Sequence, residues 1–339
     1  MPSAVIFDCE GPRLSDEERA FFKDVDPFGF ILFARHCESP DQVRAHCEEL
    51  RECVGRADAP ILIDQEGGRV ARRKPPVFPA HPAPAVFGEL WKLDPAKANE
   101  AARLNGYLLG RMVSDLGVTV NCAPMLDVPQ IDSDPVVIGD RALAKWPDVI
   151  AALGLATAEG LKEGGALPVI KHLPGHGRSL CDSHHELPRV SASRRDLEAC
   201  DFEPFRLLRD EKMGMTAHIV YEALDRERPA TLSPAVIQEV IRGEIGFDGL
   251  LFTDDLKMKA LGGALADRIR GAYDAGCDVA LACNFSMAEK KESAGALRAL
   301  EGRAAARAQS AMAALTTPER SDLDGDYDRL NALIRPVLV

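Results

Sequence analysis

The sequence predicts an α/β protein built as a single (β/α)8 TIM-type barrel. Eight short apolar runs of strand length recur along the 339 residues, and segments with helical periodicity separate them. Such alternation is typical of parallel βα units, and eight units can close a barrel. The alternative is a doubly wound open sheet, but no GxGxxG turn follows a predicted strand. The predicted strands are 4–8, 28–34, 60–65, 118–126, 168–172, 213–218, 250–255 and 278–284.

Two of the intervening helices carry clear start signals. Ser39 is predicted to cap a helix that begins at Pro40, and Gln42 is predicted to complete a capping box. Another helix is predicted to open at Ser233 and Pro234. The remaining predicted helices are 96–116, 144–164, 193–210, 262–275 and 286–315.

One domain is predicted for the whole chain, residues 1–339. No repeat, low-complexity tract or Gly/Ser linker divides the sequence. The proline-rich segment 72–88 is too short to form a domain and is interpreted as an excursion after the third strand. The segment 316–339 is polar and then apolar, which predicts a C-terminal strap that packs back on the barrel.

Charge and cysteine usage exclude several classes of partner. The chain has 41 basic and 53 acidic residues, a formal charge of −12, which argues against nucleic acid or an anionic membrane as a partner. The nine cysteines are odd in number and include no CxxC pair, as expected for reduced thiols. The amino-terminal residues lack a secretory signal pattern, and no uncharged run reaches membrane-spanning length. A cytoplasmic protein that acts on a small ligand is predicted, without a cofactor.

Polar side chains collect where the predicted strands end. In a barrel the carboxyl ends of the strands meet at one mouth, where barrel enzymes place their chemistry. A strand-end aspartate can also simply cap the next helix, so a single such residue would leave both interpretations open. Agreement among six of the eight strands favours a functional site. The residues concerned are Asp64, Asn121, Asp127, Lys171, His172, His218, Asp254, Asp255 and Asn284.

Two segments carry the candidate reactive groups. Asp254 follows an apolar run, so its carboxylate is expected to be held rigidly for nucleophilic or electrostatic work, whereas Asp255 is the candidate cap of a helix beginning near Lys257. Asp182 lies two residues before His184, close enough for the carboxylate to orient the imidazole and raise its pKa. The alternative for this pair is an Asx-turn beside a solvated histidine.

Several motifs resemble those of the short bacterial β-N-acetylglucosaminidases of glycoside hydrolase family 3. The segment "KHLPGHGRSLCDSH" (171–184) resembles the family's KH(F/L)PGHG…DSH signature, and "LFTDDLKM" (251–258) resembles its nucleophile segment. The resemblance runs in order over residues 28–285. Further matching segments are "IDQEGGRVARR" (63–73), "NCAPMLDV" (121–128), "IGDR" (138–141), "MTAHIVYEALDRERPATLS" (215–233) and "DVALACN" (278–284).

The resemblance implies a retaining exo-acting hydrolase. It implies that Asp254 attacks the anomeric carbon and that His184, oriented by Asp182, serves as acid and then base. It also implies a partner containing terminal N-acetylglucosamine, such as a saccharide or a 1,6-anhydro-muropeptide of cytoplasmic peptidoglycan recycling. Longer relatives take the acid/base residue from a second domain, which this chain is expected to lack. The positions that match the family's hydroxyl-binding residues are Asp64, Arg72, Arg141, Lys171 and His172.

Two alternatives from other classes remain at this point. A metal-dependent hydrolase would use the histidines together with Asp254 as ligands, although the early strands lack the HxH pattern usual in metallo-barrels. A catalytically silent sugar-binding protein would keep the fold, but the intact Asp254, Asp182 and His184 argue against it. No metal is predicted. The histidines considered as ligands are His172, His176, His184, His185 and His218; the roles of His176, His185 and His218 stay open.

Overall fold

A parallel barrel forms the centre of the molecule, shown by a computed structural model that describes residues 1–131, 133, 135–179, 187–259, 261–319 and 322–338. Within these residues, nine parallel strands form one sheet in the order β7-β6-β3-β2-β1-β13-β12-β10-β8. A short antiparallel hairpin, β4–β5, follows β3, and β9 pairs with β11. The strands are β1 Ser3–Phe7, β2 Pro27–Leu32, β3 Ile61–Ile63, β4 Gln65–Gly67, β5 Val70–Ala71, β6 Val120–Asn121, β7 Leu167–Pro168, β8 Ile170–Leu173, β9 Arg189–Val190, β10 Met213–Thr216, β11 Val220–Tyr221, β12 Leu250–Asp255 and β13 Val279–Ala282.

The fifth position of the barrel is occupied by two strand segments in succession. β7 pairs with β6 on one side, and β8 pairs with β10 on the other. Between them, the backbone N–H of Val169 donates to the carbonyls of Asn121 and Ala123, both at 3.0 Å. The amide of Leu126 then donates to the carbonyl of Lys171 at 2.7 Å. Nine segments therefore fill eight positions, and the predicted (β/α)8 barrel is confirmed.

Each predicted strand overlaps an observed one, and the largest difference concerns the fourth. The prediction extended that strand over 118–126, whereas β6 covers only Val120–Asn121. Pro124 has no N–H to donate to a strand ladder, so β6 ends before it, and the chain then pairs with β8 only through a bridge between Met125 and Lys171. The residues beyond β6 form part of the loop that carries Asp127 to the barrel mouth.

Helices cover the outside of the barrel, and one core cluster continues from Ala4 in β1 to Ile334 near the carboxyl end. Two π-helical segments, Leu197–Asp201 and Ala235–Glu244, occur among them. The α-helices are α1 Asp16–Val25, α2 Pro40–Val54, α3 Ala85–Leu93, α4 Pro95–Ser114, α5 Pro147–Glu163, α6 Arg194–Asp196, α7 Glu203–Leu207, α8 Leu265–Ala275, α9 Met287–Ser293, α10 Gly302–Met312 and α11 Leu323–Ile334.

Two details of the helix predictions were wrong. The single helix predicted over 286–315 is two helices, α9 and α10, because the chain between them is extended and the carbonyl of Arg298 accepts from the amide of Ala4 at 2.8 Å. At the start of α2, Ser39 caps the amide of Gln42 as predicted. The Gln42 side chain, however, accepts from the amide of Glu38 at 3.0 Å, so the reciprocal box is not formed.

The carboxyl-terminal helix α11 packs against α4 and α3. Tyr327 of α11 contacts Nε2 of His81 through its hydroxyl at 3.2 Å, and Nδ1 of the same imidazole lies 2.8 Å from the side-chain oxygen of Asn105 in α4. Arg329 of α11 also forms an ion pair with Glu100. In the described parts of the chain, every helix is too short or too polar to span a bilayer.

Candidate active site

A cavity of about 390 Å³ opens at the carboxyl-terminal ends of the barrel strands. Asp64 reaches it from the end of β3, Lys171 and His172 from β8, Asp254 from β12, and Asn284 from the end of β13. Parallel strands all deliver their carboxyl ends to the same mouth, so residues far apart in sequence converge here. The structure thus brings these strand-end residues together around one space.

Lys171 is the centre of a charged network in the cavity wall. Its buried ammonium lies 3.0 Å from Oδ1 of Asp64 and 2.7 Å from Oε1 of Glu66. Arg141 binds Glu66 with two parallel hydrogen bonds, of 2.8 and 2.9 Å. Arg72 contacts the second oxygen of Asp64 at 3.1 Å. Each carboxylate therefore bridges two cations, which restricts all five side chains to one arrangement.

The network keeps its members charged despite their burial. Burial alone would raise the pKa of the Asp64 carboxyl, but the charges of Lys171 and Arg72 lower that pKa to about 2. Burial opposes ionisation of Glu66 as well, yet Arg141 and Lys171 hold its pKa well below the usual range. The same pairs raise the pKa of Lys171 and of Arg141 against the effect of burial. At neutral pH the wall carries fixed positive and negative groups.

Asp254 stands at the end of β12 as a half-buried carboxylate facing this cavity. Burial would raise the pKa of its carboxyl, but the charges of His218, His172 and Lys171 and a hydrogen bond from a backbone amide lower it overall. That bond comes from the N–H of Asp255 to Oδ1 at 2.8 Å. The group is ionised at neutral pH and held from its own backbone, as a nucleophile requires.

The neighbouring carboxylate, Asp255, occupies a different environment. Its Oδ1 accepts from the amide of Lys257 at 2.9 Å, and its Oδ2 accepts from the side-chain amide of Asn284 at 3.2 Å. Burial and the charge of Asp254 raise the pKa of this carboxyl to about 7. Asp255 therefore accepts from a backbone amide as a cap would, but it stabilises a turn. The helix predicted to begin near Lys257 is absent from the described residues there, and α8 begins only at Leu265.

His172 is oriented from behind by Asp127. Oδ2 of this fully buried carboxylate lies 2.7 Å from Nδ1 of His172, while Oδ1 accepts from the backbone amides of His172 and His176 at 3.2 and 2.6 Å. The centroids of the His172 and His176 rings are 5.4 Å apart, and the rings pack edge to face. Both rings line the cavity, and Asp127 sets the position of the loop that carries them.

His218, whose role the sequence left open, lies buried behind the end of β12. Nδ1 of the ring is 2.7 Å from the hydroxyl of Thr231, and Nε2 is 3.0 Å from the carbonyl of Asp255. An N–H at Nε2 donates to that carbonyl, and the Thr231 hydroxyl also donates to the carbonyl of Ala217 at 3.0 Å. The imidazole thereby ties β12 to the loop after β10.

Comparisons with known proteins decide the family. The model of the glycosyl hydrolase family 3 N-terminal domain matches residues 3–316. The chain belongs to glycoside hydrolase family 3. The family predicted from the sequence motifs is therefore confirmed, and so is the prediction of a glycoside hydrolase.

Relatives within family 3 cover most of the chain. A β-hexosaminidase of Alkalilimnicola ehrlichii is 41% identical over 284 residues, 83% of this chain and 80% of that protein. Native NagZ from Neisseria gonorrhoeae superimposes with a TM-score of 0.86 at 32% identity, covering 98% of each chain. The complex of that NagZ with N-trifluoroacetyl-D-glucosamine matches at a TM-score of 0.78 and 31% identity, over 99% of this chain and 94% of the other.

Not every residue predicted for this family 3 site can be placed. Asp182, His184 and His185 lie outside the described residues, as does the rest of 180–186. Within the described ranges, no group of three or more His, Cys, Asp or Glu side chains is arranged to hold a metal ion. The predicted sugar-binding residues do meet around Asp254: Asp64, Arg72, Arg141, Lys171 and His172 all line the cavity.

The sequence analysis of this family 3 chain did not foresee the contacts that two residues make in the cavity wall. It also listed one strand-end residue as a candidate whose role is structural. Glu66 was not a candidate, although the buried Lys171 and the partly buried Arg141 together require a second carboxylate. Asp127 was noted only as a strand-end residue, and its contact with His172 was not foreseen. Asn121, also noted there, is fully buried and hydrogen-bonds the backbone of Gln65, so its role is structural.

Proposed function

We propose that this chain removes terminal non-reducing N-acetylglucosamine from saccharides or muropeptides, with retention of configuration. By class it is a β-N-acetylhexosaminidase, as its relatives are. The observation that carries the proposal is the ionised carboxylate of Asp254, which faces a cavity walled by the fixed charges of Asp64, Arg72, Arg141 and Lys171. Residues 1–339 would act as one catalytic domain around a continuous core.

The charge balance of the cavity suits a neutral ligand that is rich in hydroxyl groups. Among its described lining residues, four carboxyl groups stand against four arginine and lysine side chains, beside the imidazoles of His172 and His176. Each sugar hydroxyl can donate to a carboxylate and accept from an ammonium or guanidinium, so alternating charges can satisfy a pyranose ring without a net charge on the ligand. The carboxylates are Asp64, Glu66, Asp254 and Asp255, and the basic side chains are Arg69, Arg72, Arg141 and Lys171.

In the first step Asp254 attacks the anomeric carbon. A bond forms between one carboxylate oxygen and C1 while the bond from C1 to the glycosidic oxygen breaks. The departing oxygen takes a proton from His184, which the resemblance assigns as acid with Asp182 as its orienting partner. The product is a glycosyl ester of Asp254 and a free aglycone alcohol.

In the second step water reverses these roles. His184, now neutral, accepts a proton from a water molecule whose oxygen attacks C1, and the ester bond to Asp254 breaks. The carboxylate is restored, the imidazole carries the proton again, and N-acetylglucosamine leaves with its original anomeric configuration. Two inversions at C1 account for the overall retention.

Trapping the intermediate tests this proposal directly. Protein quenched during reaction with a 5-fluoro N-acetylglucosaminyl donor should gain one fluoroglycosyl mass on the peptide containing Asp254, and NMR of 4-nitrophenyl N-acetyl-β-glucosaminide hydrolysis should show the β-anomer first. Asp254→Ala should lose the adduct and about four or more orders of magnitude in kcat. Asp255→Asn is the matched control. An adduct on Asp255, or activity retained in Asp254→Ala, would refute the assignment.

The acid role of His184 has its own signature. His184→Ala should slow glycosylation by substrates with poor leaving groups about 100-fold, and much less with activated aryl glycosides, because good leaving groups need little protonation. Equal losses for both substrates would count against His184 as the acid.

The aglycone and cellular setting rest on the resemblance alone. We place the enzyme in the cytoplasm, acting in peptidoglycan recycling on 1,6-anhydro-muropeptides. Comparison of kcat/KM for such a muropeptide and for chitobiose measures this preference. A clear preference for chitobiose would leave the hydrolase standing and remove the recycling role.

A further inference from the structure

Two segments that wall the cavity are joined by arginines pointing in opposite directions. One segment is the hairpin β4–β5, and the other is the loop 136–141. Arg141 extends from the loop to Glu66 in the hairpin. Arg69 extends from the hairpin turn to the loop. Neither segment belongs to the barrel sheet, so these cross-contacts determine how one lies against the other.

Arg69 contacts four of the six residues of that loop. Its Nε donates to Oδ1 of Asp140 at 2.7 Å, and its Nη2 donates to the carbonyls of Val137 and Ile138 at 3.3 and 3.2 Å. Its Nη1 donates to the carbonyl of Val136. One guanidinium therefore satisfies three successive carbonyls and a carboxylate, which its planar fork of donors allows and an ammonium group does not.

The loop is shaped to receive this side chain. Gly139 turns the loop toward Arg69 with a φ of 43°, in the left-handed region that favours glycine, and a Cβ built there would make an ordinary contact of 3.4 Å with Nη2 of Arg69. The carbonyl of Val137 accepts from Nη1 of Arg141 at 2.9 Å as well as from Arg69, so both arginines meet at one oxygen. Fixing the loop through Arg69 thus also fixes the guanidinium that binds Glu66.

We propose that Arg69 and Asp140 are positioning residues that hold the 136–141 wall against the bound sugar and orient Arg141 for binding. The inference rests on the proposed function and extends it to two residues outside the predicted sugar-binding set; Arg69 also lines the cavity, but its donors are directed at the loop. Side chains of both partners are partly open to solvent, 38% for Arg69 and 48% for Asp140, so the contact can break without unfolding the barrel. Val136, Val137 and Ile138 line the cavity, and they follow the loop if it moves.

The expected signature is a loss in binding with little loss in chemistry. Arg69→Met should raise KM for 4-nitrophenyl N-acetyl-β-glucosaminide about tenfold while kcat stays within about threefold, since the nucleophile segment is untouched. Asp140→Asn should have a smaller effect in the same direction. In the double variant the two effects should be less than multiplicative, because both act through one contact. Arg69→Lys should give only partial recovery.

Hydrogen exchange measures the loop itself. Amides of 136–142 should exchange faster in Arg69→Met than in wild type without any sugar present, while the midpoint of denaturant unfolding stays close to wild type. Arg270→Met is the control, because Arg270 forms an exposed ion pair with Asp267 on α8, far along the chain from either segment.

The outcomes separate this inference from the proposed function. Faster exchange together with a raised KM supports it. Unchanged exchange, unchanged KM, or a fall in kcat alone would overturn it. If wild-type protein cleaves no N-acetylglucosaminide, the proposed function fails, and the exchange measurement still decides whether Arg69 holds the loop.

Discussion

Asp127 fixes the ring of His172 through a contact of 2.7 Å between Oδ2 and Nδ1, and the carboxylate has no exposure to solvent. A carboxylate at Nδ1 requires the proton on that nitrogen, so Nε2 is the nitrogen left for other partners. The same ring lines the cavity that Asp254 faces. The buried aspartate therefore sets the orientation of a ring that shares a cavity with Asp254, the proposed nucleophile.

Replacing Asp127 by asparagine should change the tautomer of His172. The amide side chain would retain an oxygen for the two backbone N–H groups, but its NH2 cannot accept from Nδ1–H, so the ring would have to carry its proton on Nε2. We expect kcat/KM of Asp127→Asn to fall about tenfold or more with the fold retained. Steady-state kinetics and the imidazole nitrogen shifts in NMR measure both effects. A variant with changed shifts and unchanged kinetics would separate His172 from function.

Removing the ammonium of Lys171 should destabilise the protein. Lys171→Met leaves the carboxylates of Asp64 and Glu66 without their shared cation, and breaking a buried ion pair from one side costs about 3 to 5 kcal/mol. Adding Glu66→Gln should recover part of that loss, because one of the uncompensated charges disappears. Urea denaturation of both variants and of Glu66→Gln alone gives the coupling. Purely additive losses would contradict the network.

Stability should decrease with pH through the titration of Asp255. The pKa of its carboxyl is raised from 3.8 to about 7 in the folded protein, so the folded state binds more protons than the unfolded state between these values. This contribution is fully present below about pH 4, declines as the pH rises to about 7, and is constant above. Asp255→Asn should remove up to about 4 kcal/mol of that decline. If the urea midpoints of wild type and Asp255→Asn change with pH by the same amount, Asp255 does not contribute this pH dependence.

The loop after β8 should not tolerate a side chain at Gly177. A Cβ built there lies 1.9 Å from the carbonyl oxygen of Val128, a backbone atom that cannot move aside alone. Gly177→Ala is therefore expected to shift the chain that leads into 180–186 and to lower kcat about tenfold or more. Gly295→Ala is the matched control, since nothing lies within 4 Å of a Cβ built at that exposed position. Equal activity of the two variants would show that the position of this loop is unimportant.

Much of the fold and part of the site were predictable from local pattern. Asp64, Lys171 and Asp254 each follow or end an apolar run, and the carboxyl ends of parallel strands must meet, so their convergence could be predicted without coordinates. Family motifs extended this to Arg72 and Arg141, which lie in loops where periodicity carries no information. The length of the fourth strand and the split between α9 and α10 were mispredicted, because a proline and a contact with Ala4 outweighed local propensity.

By itself the sequence determined which elements form, their order, and which polar residues stand at their ends. The spacing of apolar residues and the proline, glycine and capping residues that end an element are local properties of the chain. Only the tertiary structure decided the partners of those residues. Lys171 meets Asp64 across 107 positions, and Arg141 meets Glu66 across 75, once the barrel closes and its loops fold over the mouth. Ionic pairing depends on distances of a few ångströms and on the exclusion of water, and neither is encoded in the spacing of residues along a chain.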